Sequence, residues 1–230
     1  MLWSDDGELF KLMRNELFTA VVGDVMDQMG LTHQFLPPEI RPLRDDMIAL
    51  GRAMPVLEAD FFPPEEGVEP HSPLARQAFG MMFAALDDLK ANEVYVATGG
   101  SPRYALWGEL MSTRAMHLGA TGAVLNGHSR DTRGVLRLNF PTFSYGPYAQ
   151  DQGARGKVVD FRVPIEIAGI RIAPGDIVFG DIDGVTVIPR AVEEDALHRA
   201  IEKVRAENLV KTALEKGMSA SEAWATYKVM

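Results

Sequence analysis

The pair Arg130–Asp131 sets a guanidinium beside a carboxylate. It closes the segment Gly108–Asp131 (GELMSTRAMHLGATGAVLNGHSRD), which reads as helix, tight turn, buried strand and polar loop. The carboxylate suits a hard divalent cation, which takes oxygen ligands. The guanidinium suits a substrate carboxylate or an enolate oxygen, which it meets in fork geometry. Upstream, Gly108 opens a helix, so the amides of Gly108, Glu109, Leu110 and Met111 offer a pocket for an anion. Glu109 in the first turn could serve a hydrated cation, or simply complement the helix dipole. The pair also has plain alternatives, a surface ion pair or, for Asp131, the cap of a helix over Thr132–Leu136.

Other chemistry is thinner. Asp24 and Asp27 share one helix face and read either as paired carboxylates or as a solvated surface. His33, His71, His117, His128 and His198 lack metal-ligand spacing such as H-x-x-x-H. Only His128 is near the Arg130–Asp131 pair, where it lines the site or fills the loop. With no cysteine, the chain has no disulfide, thiolate nucleophile or cysteine-based zinc site. There is no G-x-G-x-x-G fingerprint, Walker loop or G-x-S-x-G elbow. No lysine falls in a run that reads as an apolar strand, so none is marked for Schiff-base chemistry. Trp107, Trp224 and Tyr227 read as core or interface residues.

These residues need positioning elements. Leu9 to Met29 carries apolar residues at helical spacing, with Thr19 as an internal N-cap, which predicts two helices ending at Gly30. A proline-rich loop follows, then a strand over Ala49–Leu57 and an acidic, proline-rich surface excursion over residues 58–73. Leu74–Leu89 reads as a helix, Glu93–Ala97 as a strand, Gly108–Leu118 as a helix stopped by Gly119, and Gly122–Leu125 and Phe140–Ser144 as strands. This alternation predicts an α/β layered fold. In the second half, Ala168-Gly169 and Asp183-Gly184 mark two hairpins. A long helix runs from Pro189 to about Lys216, and Ser219–Glu222 is a capping box opening a last helix. The expectation is one domain over residues 1–230, with 190–230 as a C-terminal helical arm.

The bulk properties exclude some classes. At 47% hydrophobic and 24% charged, 230 residues can bury a core, so disorder is excluded. A net charge of −9 argues against a nucleic-acid binder, which needs a basic face. The start of the chain lacks the basic and apolar regions of a signal peptide. No stretch approaches the roughly 20 apolar residues that span a bilayer. The expectation is a cytoplasmic protein with neither nucleic-acid nor membrane partners.

Four segments carry a likeness. Thr19–Gly30 (TAVVGDVMDQMG), Gly51–Val56 (GRAMPV), the Gly108–Asp131 stretch and Pro174–Pro189 (PGDIVFGDIDGVTVIP) resemble the RraA-like family. That family includes 4-hydroxy-4-methyl-2-oxoglutarate / 4-carboxy-4-hydroxy-2-oxoadipate aldolases. The resemblance spans nearly the whole chain. It implies an α/β/β sandwich of the swivelling-domain type, assembled as a homotrimer or homohexamer. It implies a class II pyruvate aldolase using Mg²⁺ or Mn²⁺ on small 2-oxo acids, with oxaloacetate decarboxylation as a side activity. By resemblance, Asp131 binds the metal directly and Arg130 contacts the pyruvyl group. Glu109 reaches the metal through water, as does Glu207 from a neighbouring subunit. Gly108, Leu110, Met111 and Arg130 bind substrate. Two positions depart from the aldolases: Gly134 stands where they usually carry Glu or Asp, and Asn126 where they often carry Asp. The family's ribonuclease-regulator branch looks as if it lacks the Asp of the pair. A non-catalytic regulator that binds a ribonuclease is the alternative reading.

Overall fold

A computed structural model describes residues 2–67 and 69–228. The chain divides into two compact units, one from its two ends, up to Thr32 and from Ala191 onward, and one from His33–Arg190.

The His33–Arg190 unit is built on a mixed sheet. Its path runs β1 (Arg41–Pro42), β7 (Thr142–Ser144), β5 (Gly122–Leu125), β3 (Glu93–Thr98), β2 (Ala49–Asp60), β11 (Ile177–Asp181) and β12 (Gly184–Ile188). The run β7-β5-β3-β2 is parallel, as its helical crossovers require. The twelve-residue β2 is the spine. Along one edge it pairs in parallel with β3 from Arg52 to Leu57. It also pairs antiparallel with β11 over Ala49–Arg52 and with β8 (Gly156–Phe161) over Val56–Asp60.

Alternation along these strands assigns the faces. Met54, Val56, Tyr95, Ala97 and Leu125 join one core with α3 (Met82–Asp87) and α4 (Glu109–His117). Ala53, Val94, Val96, Val124 and Val178 join the other, with the hairpin β9 (Ile165–Ile167) and β10 (Ile170–Ile172). The hairpin buries Ile165, Ile167, Ile170 and Ile172 and turns at Ala168-Gly169, both at positive φ as a primed turn demands. Helices, sheet and hairpin make the expected α/β/β layers.

Three local expectations are corrected. Leu74–Leu89 is not one helix: a 3₁₀ turn at Pro73–Arg76 precedes the short α3. Gly80 breaks it, at φ 60° and bridged to Val158, where a Cβ would lie 2.2 Å from the Val158 carbonyl oxygen. The excursion begins later than read, because β2 runs on to Asp60 against β8, a strand with no clear sequence signature. Thr19 is the first residue of α2 (Thr19–Gln28), and Phe18 holds the cap position.

The terminal unit contains α1 (Asp6–Glu16), α2, α6 (Glu193–Glu215) and α7 (Ala220–Tyr227). The segment from 190 on, expected as an arm, holds α6 and α7; α6 packs with α2 and buries Ala196, Leu197, Ala200, Ile201 and Val204. Arg205 grips Glu16 through two 2.8 Å bonds, and Lys203 binds Asp24. The capping box at Ser219 and Glu222 forms as read. Among the described residues, no helix is long and apolar enough to cross a membrane.

Candidate active site

Beyond the C-terminal end of β5 the chain makes a small parallel pair, β4 (Ala105–Trp107) with β6 (His128–Ser129). The Arg130 amide donates to the Trp107 carbonyl at 2.8 Å, locking the residue after β6 to the strand before α4. Asp131 follows in the left-handed region, at φ 54° and ψ 31°. Asp tolerates that conformation better than most residues. The turn splits its two ends. The Asp131 carbonyl accepts from the Gly134 and Val135 amides and starts α5 (Thr132–Leu138). The carboxylate makes no cap bond to α5 and instead accepts from the Glu109 amide, at 3.3 Å, at the start of α4. Asp131 therefore holds the N-cap position of α5 without its side chain capping the helix, and the carboxylate is also within ion-pair distance of Arg130. Gly108 makes room, since a Cβ there would lie 2.6 Å from Asp131 Oδ2.

Asp131 thus occupies part of the anion pocket read from sequence. The Leu110 and Met111 amides remain, in a helix whose N-cap Gly108 supplies no side chain. The Arg130 guanidinium lies between two carboxylates, with Nη1 2.7 Å from Asp151 and Nε 3.7 Å from Asp131. Both ion pairs are part-exposed, so each is worth at most about 1 kcal/mol and a substrate anion can displace one. Arg130, Asp131, Asp151, Gly108, Leu110 and Met111 line a cavity of about 270 Å³, walled by Phe79, Met82, Leu86 and Trp107. The space suits a small acid. Asp151 and Gln152 were missed by sequence reasoning, and nothing in their spacing could have marked them.

The two departures acquire physical meaning. A Cβ at Gly134 would lie 2.1 Å from Glu109 Cδ, so the Glu109 carboxylate fills the space a side chain at 134 would enter. Arg137 stands 3.6 Å from that carboxylate. Asn126 donates to Thr98 Oγ1 at 2.8 Å and accepts from the Tyr145 hydroxyl at 2.5 Å. An ionised Asp could accept the second bond but not donate the first.

A hard cation fits a donor set of this kind only as a hydrated ion. Among the described residues, no group of three or more His, Cys, Asp or Glu could cage a metal. Magnesium commonly binds through one or two carboxylates and keeps its remaining waters. Asp131, with a part-exposed carboxylate at the cavity, can supply one such oxygen.

Other expected residues lie apart. His128 is half-buried, with Nδ1 3.2 Å from the Gly146 carbonyl and its ring against Tyr145 and Tyr148, so it does not line the cavity. Asp24 is paired with Lys203, and with Asp27 it lines a cavity of about 840 Å³ whose residues all belong to the terminal unit. Glu207 lies on α6 in the terminal unit, 3.5 Å from Lys203. One lysine does sit in a strand: Lys157 on β8 is buried, and burial lowers its ammonium's pKa. Its Nζ is held by the Gln77 carbonyl and lies 4.4 Å above the Phe61 ring, away from the cavity.

Known proteins agree with this architecture. A Halalkalibacterium halodurans protein named "Putative 4-hydroxy-4-methyl-2-oxoglutarate aldolase" is 29% identical over 206 residues, covering 90% of this chain and 89% of its own. Protein DlpA of Legionella pneumophila is 27% identical over 210 residues, and this chain spans only 32% of its length. Among solved structures, an uncharacterized protein from Pseudomonas syringae matches with a TM-score of 0.82 at 25% identity, covering 99% of this chain and 97% of that one. Streptomyces coelicolor RraAS2, described as an unusual member of the RNase ES inhibitor RraA protein family, shares the fold, with a TM-score of 0.77 at 21% identity. It covers 91% of this chain and 99% of its own. The family model described as Aldolase/RraA matches residues 19–187, from α2 through the sheet to β12, and the chain belongs to this RraA-like family.

Proposed function

We propose that the chain is a divalent-metal-dependent carbon–carbon lyase that cleaves 4-hydroxy-2-oxo acids to pyruvate and decarboxylates oxaloacetate as a side reaction. The observation that carries this reading is the Asp131 carboxylate held at the open end of α4, beside Arg130, at the mouth of a small cavity. A bound Mg²⁺ or Mn²⁺ would polarise the keto group as a Lewis acid. Asp131 would hold it directly, with Glu109 oriented toward its waters. The Leu110 and Met111 amides take the substrate carboxylate. Arg130 exchanges its contact with Asp151 for the keto oxygen, where negative charge builds as the bond breaks. Phe79, Met82, Leu86 and Trp107 give the cavity an apolar wall on one side, while Arg130 and Asp131 stay part-exposed, so that stabilisation is only partly sheltered from water. Glu109 does not line the cavity, its carboxylate lying against Gly134 and 3.6 Å from Arg137, so it would take the 4-hydroxyl proton only through metal-bound water.

Assembly belongs to the same proposal. A homotrimer or homohexamer would let Glu207 of a neighbouring subunit complete the metal's surroundings. The deciding experiment measures pyruvate release from a panel of 4-hydroxy-2-oxo acids and oxaloacetate, after exhaustive EDTA treatment and after adding back Mg²⁺ or Mn²⁺. Turnover should vanish and return. Full turnover without metal overturns the reading. The rival, a regulator that docks on a ribonuclease, draws on family membership and on the acidic net charge of −9, which suits a basic partner. It predicts no turnover of any substrate in the panel.

A further inference from the structure

Behind the cavity wall lies a carboxyl group with no part in that chemistry. Glu58, on the outer half of β2, is 2% exposed and points into the helix-side layer. Its Oε2 accepts from Gln152 Nε2 at 2.7 Å, and its Oε1 is buried without a partner. Gln152 lines the cavity, and its neighbour Asp151 is the residue that meets Arg130 at 2.7 Å. The Asp151 carboxylate also accepts from the Gly153 amide at 2.8 Å, so residues 151–153 form a small turn, tied through the Gln152 side chain to Glu58 and through the Gln152 carbonyl to the Arg155 and Gly156 amides.

We propose that Glu58 is a positioning residue for the Arg130–Asp131 cavity, acting through Gln152 and the Asp151 turn to set where the Arg130 guanidinium points. The argument is mechanical. Asp151 is part-exposed, so its own ion pair with Arg130 is too weak to fix the loop. The buried bond to Glu58 is the firmer link, since breaking it would strand an amide in an apolar layer.

The groups facing Glu58 decide its charge. From β3 comes Tyr95, wholly buried, with a hydroxyl that has no partner. From the loop before β4 comes Tyr104, whose hydroxyl donates to Asp60, two residues along β2. Arg103 also goes to Asp60, and Lys157 of β8 to Gln77. No cation pairs with Glu58 among the described residues. Burial therefore pushes its carboxyl up to about 8. Ionised, it would carry a charge with one N–H donor, and water entry or displacement of Gln152 would relieve it. Either movement frees Asp151 and with it Arg130.

The role rests on the proposed site but can be read without turnover. The probe is phenylglyoxal labelling of Arg130, resolved by peptide mass and scaled to exposed Arg171, from about pH 6 to about pH 9. In the wild type, relative labelling should stay low and rise through about pH 8, by roughly tenfold. Glu58→Gln keeps the hydrogen bond but cannot ionise, so labelling should stay low and flat. Glu58→Leu should label fast at every pH, with an unchanged circular dichroism spectrum. If Glu58→Leu does not fold, the Glu58→Gln arm decides alone. Wild-type labelling that does not change with pH, or an unaltered rise in Glu58→Gln, overturns the proposal. These outcomes hold whether or not pyruvate is released, so failure of the lyase reading is seen separately.

Discussion

Two carboxylates on the same unit live under opposite rules. Asp131 stands at a helix start, with an amide donor at 3.3 Å, a guanidinium beside it and solvent on its free side. Glu58 has one side-chain amide and apolar walls. Desolvating an ionised carboxylate costs several kcal/mol. A hydrogen bond to a charged group returns about 1.5–3 kcal/mol. One donor cannot offset the burial of Glu58, which therefore stays protonated near neutrality. Asp131 remains largely hydrated and is free to bind a cation. Residue type alone did not set these roles; the donors that the backbone brought to each did.

The comparison breaks most severely at Asp131. Asp131→Asn suits the left-handed backbone as well as Asp does, and it removes only the charge. It should lower metal-dependent pyruvate release by about a thousandfold or more, a loss of roughly 4 kcal/mol, with unchanged thermal unfolding. Parent-like turnover would return Asp131 to a purely structural role. Next comes Arg130→Lys, which keeps the charge but loses the fork. Its kcat should fall about a hundredfold, more than any change in KM, because the contact is made as charge develops.

The third test reads Glu58 through stability. Its folded pKa of about 8 lies above the ordinary carboxylate value of 4.5. Between those values the folded state binds the extra proton, so stability is full below about pH 4.5 and declines as pH rises to about 8. Melting of Glu58→Gln should lose this slope. Near pH 8 it should melt several degrees higher than the parent, at roughly 2–4 °C per kcal/mol. The same slope in both proteins would mean that Glu58 is not protonated in the folded state. The smallest effect is expected for Glu207→Gln, which removes one charge from α6: weakened metal affinity, about threefold to tenfold, with an intact oligomer by light scattering. A fully active wild-type monomer would remove Glu207 from the site.

Much of this was legible beforehand because the signals are local. The Ala168-Gly169 turn, the Ser219 capping box and the Gly119 stop each depend on residues a few positions apart. The Arg130–Asp131 pair was visible as a dipeptide. What escaped depends on distant partners. Glu58 and Gln152 are 94 positions apart, and Gln152 reaches the cavity through the β2–β8 pairing and the Ala105 amide's bond to the Gln150 carbonyl. With Glu58 inside an acidic run, composition placed it at the surface. The left-handed turn that swings Asp131 from α5 to α4 left no pattern either, since Asp is also a common cap residue.

The twelve-residue reach of β2 bears on how the molecule opens. Its amides are committed in turn to β11, β3 and β8, so its middle cannot come free unless all three neighbours detach. In deuterium, the amides of Met54 and Val56 should therefore exchange only through global unfolding, while those of exposed Phe62, Glu65 and Glu66 should exchange within seconds to minutes. Glu58 stands at the end of β2 where these regimes meet. Local fraying there, far short of unfolding, would be enough to let solvent reach the cavity from behind.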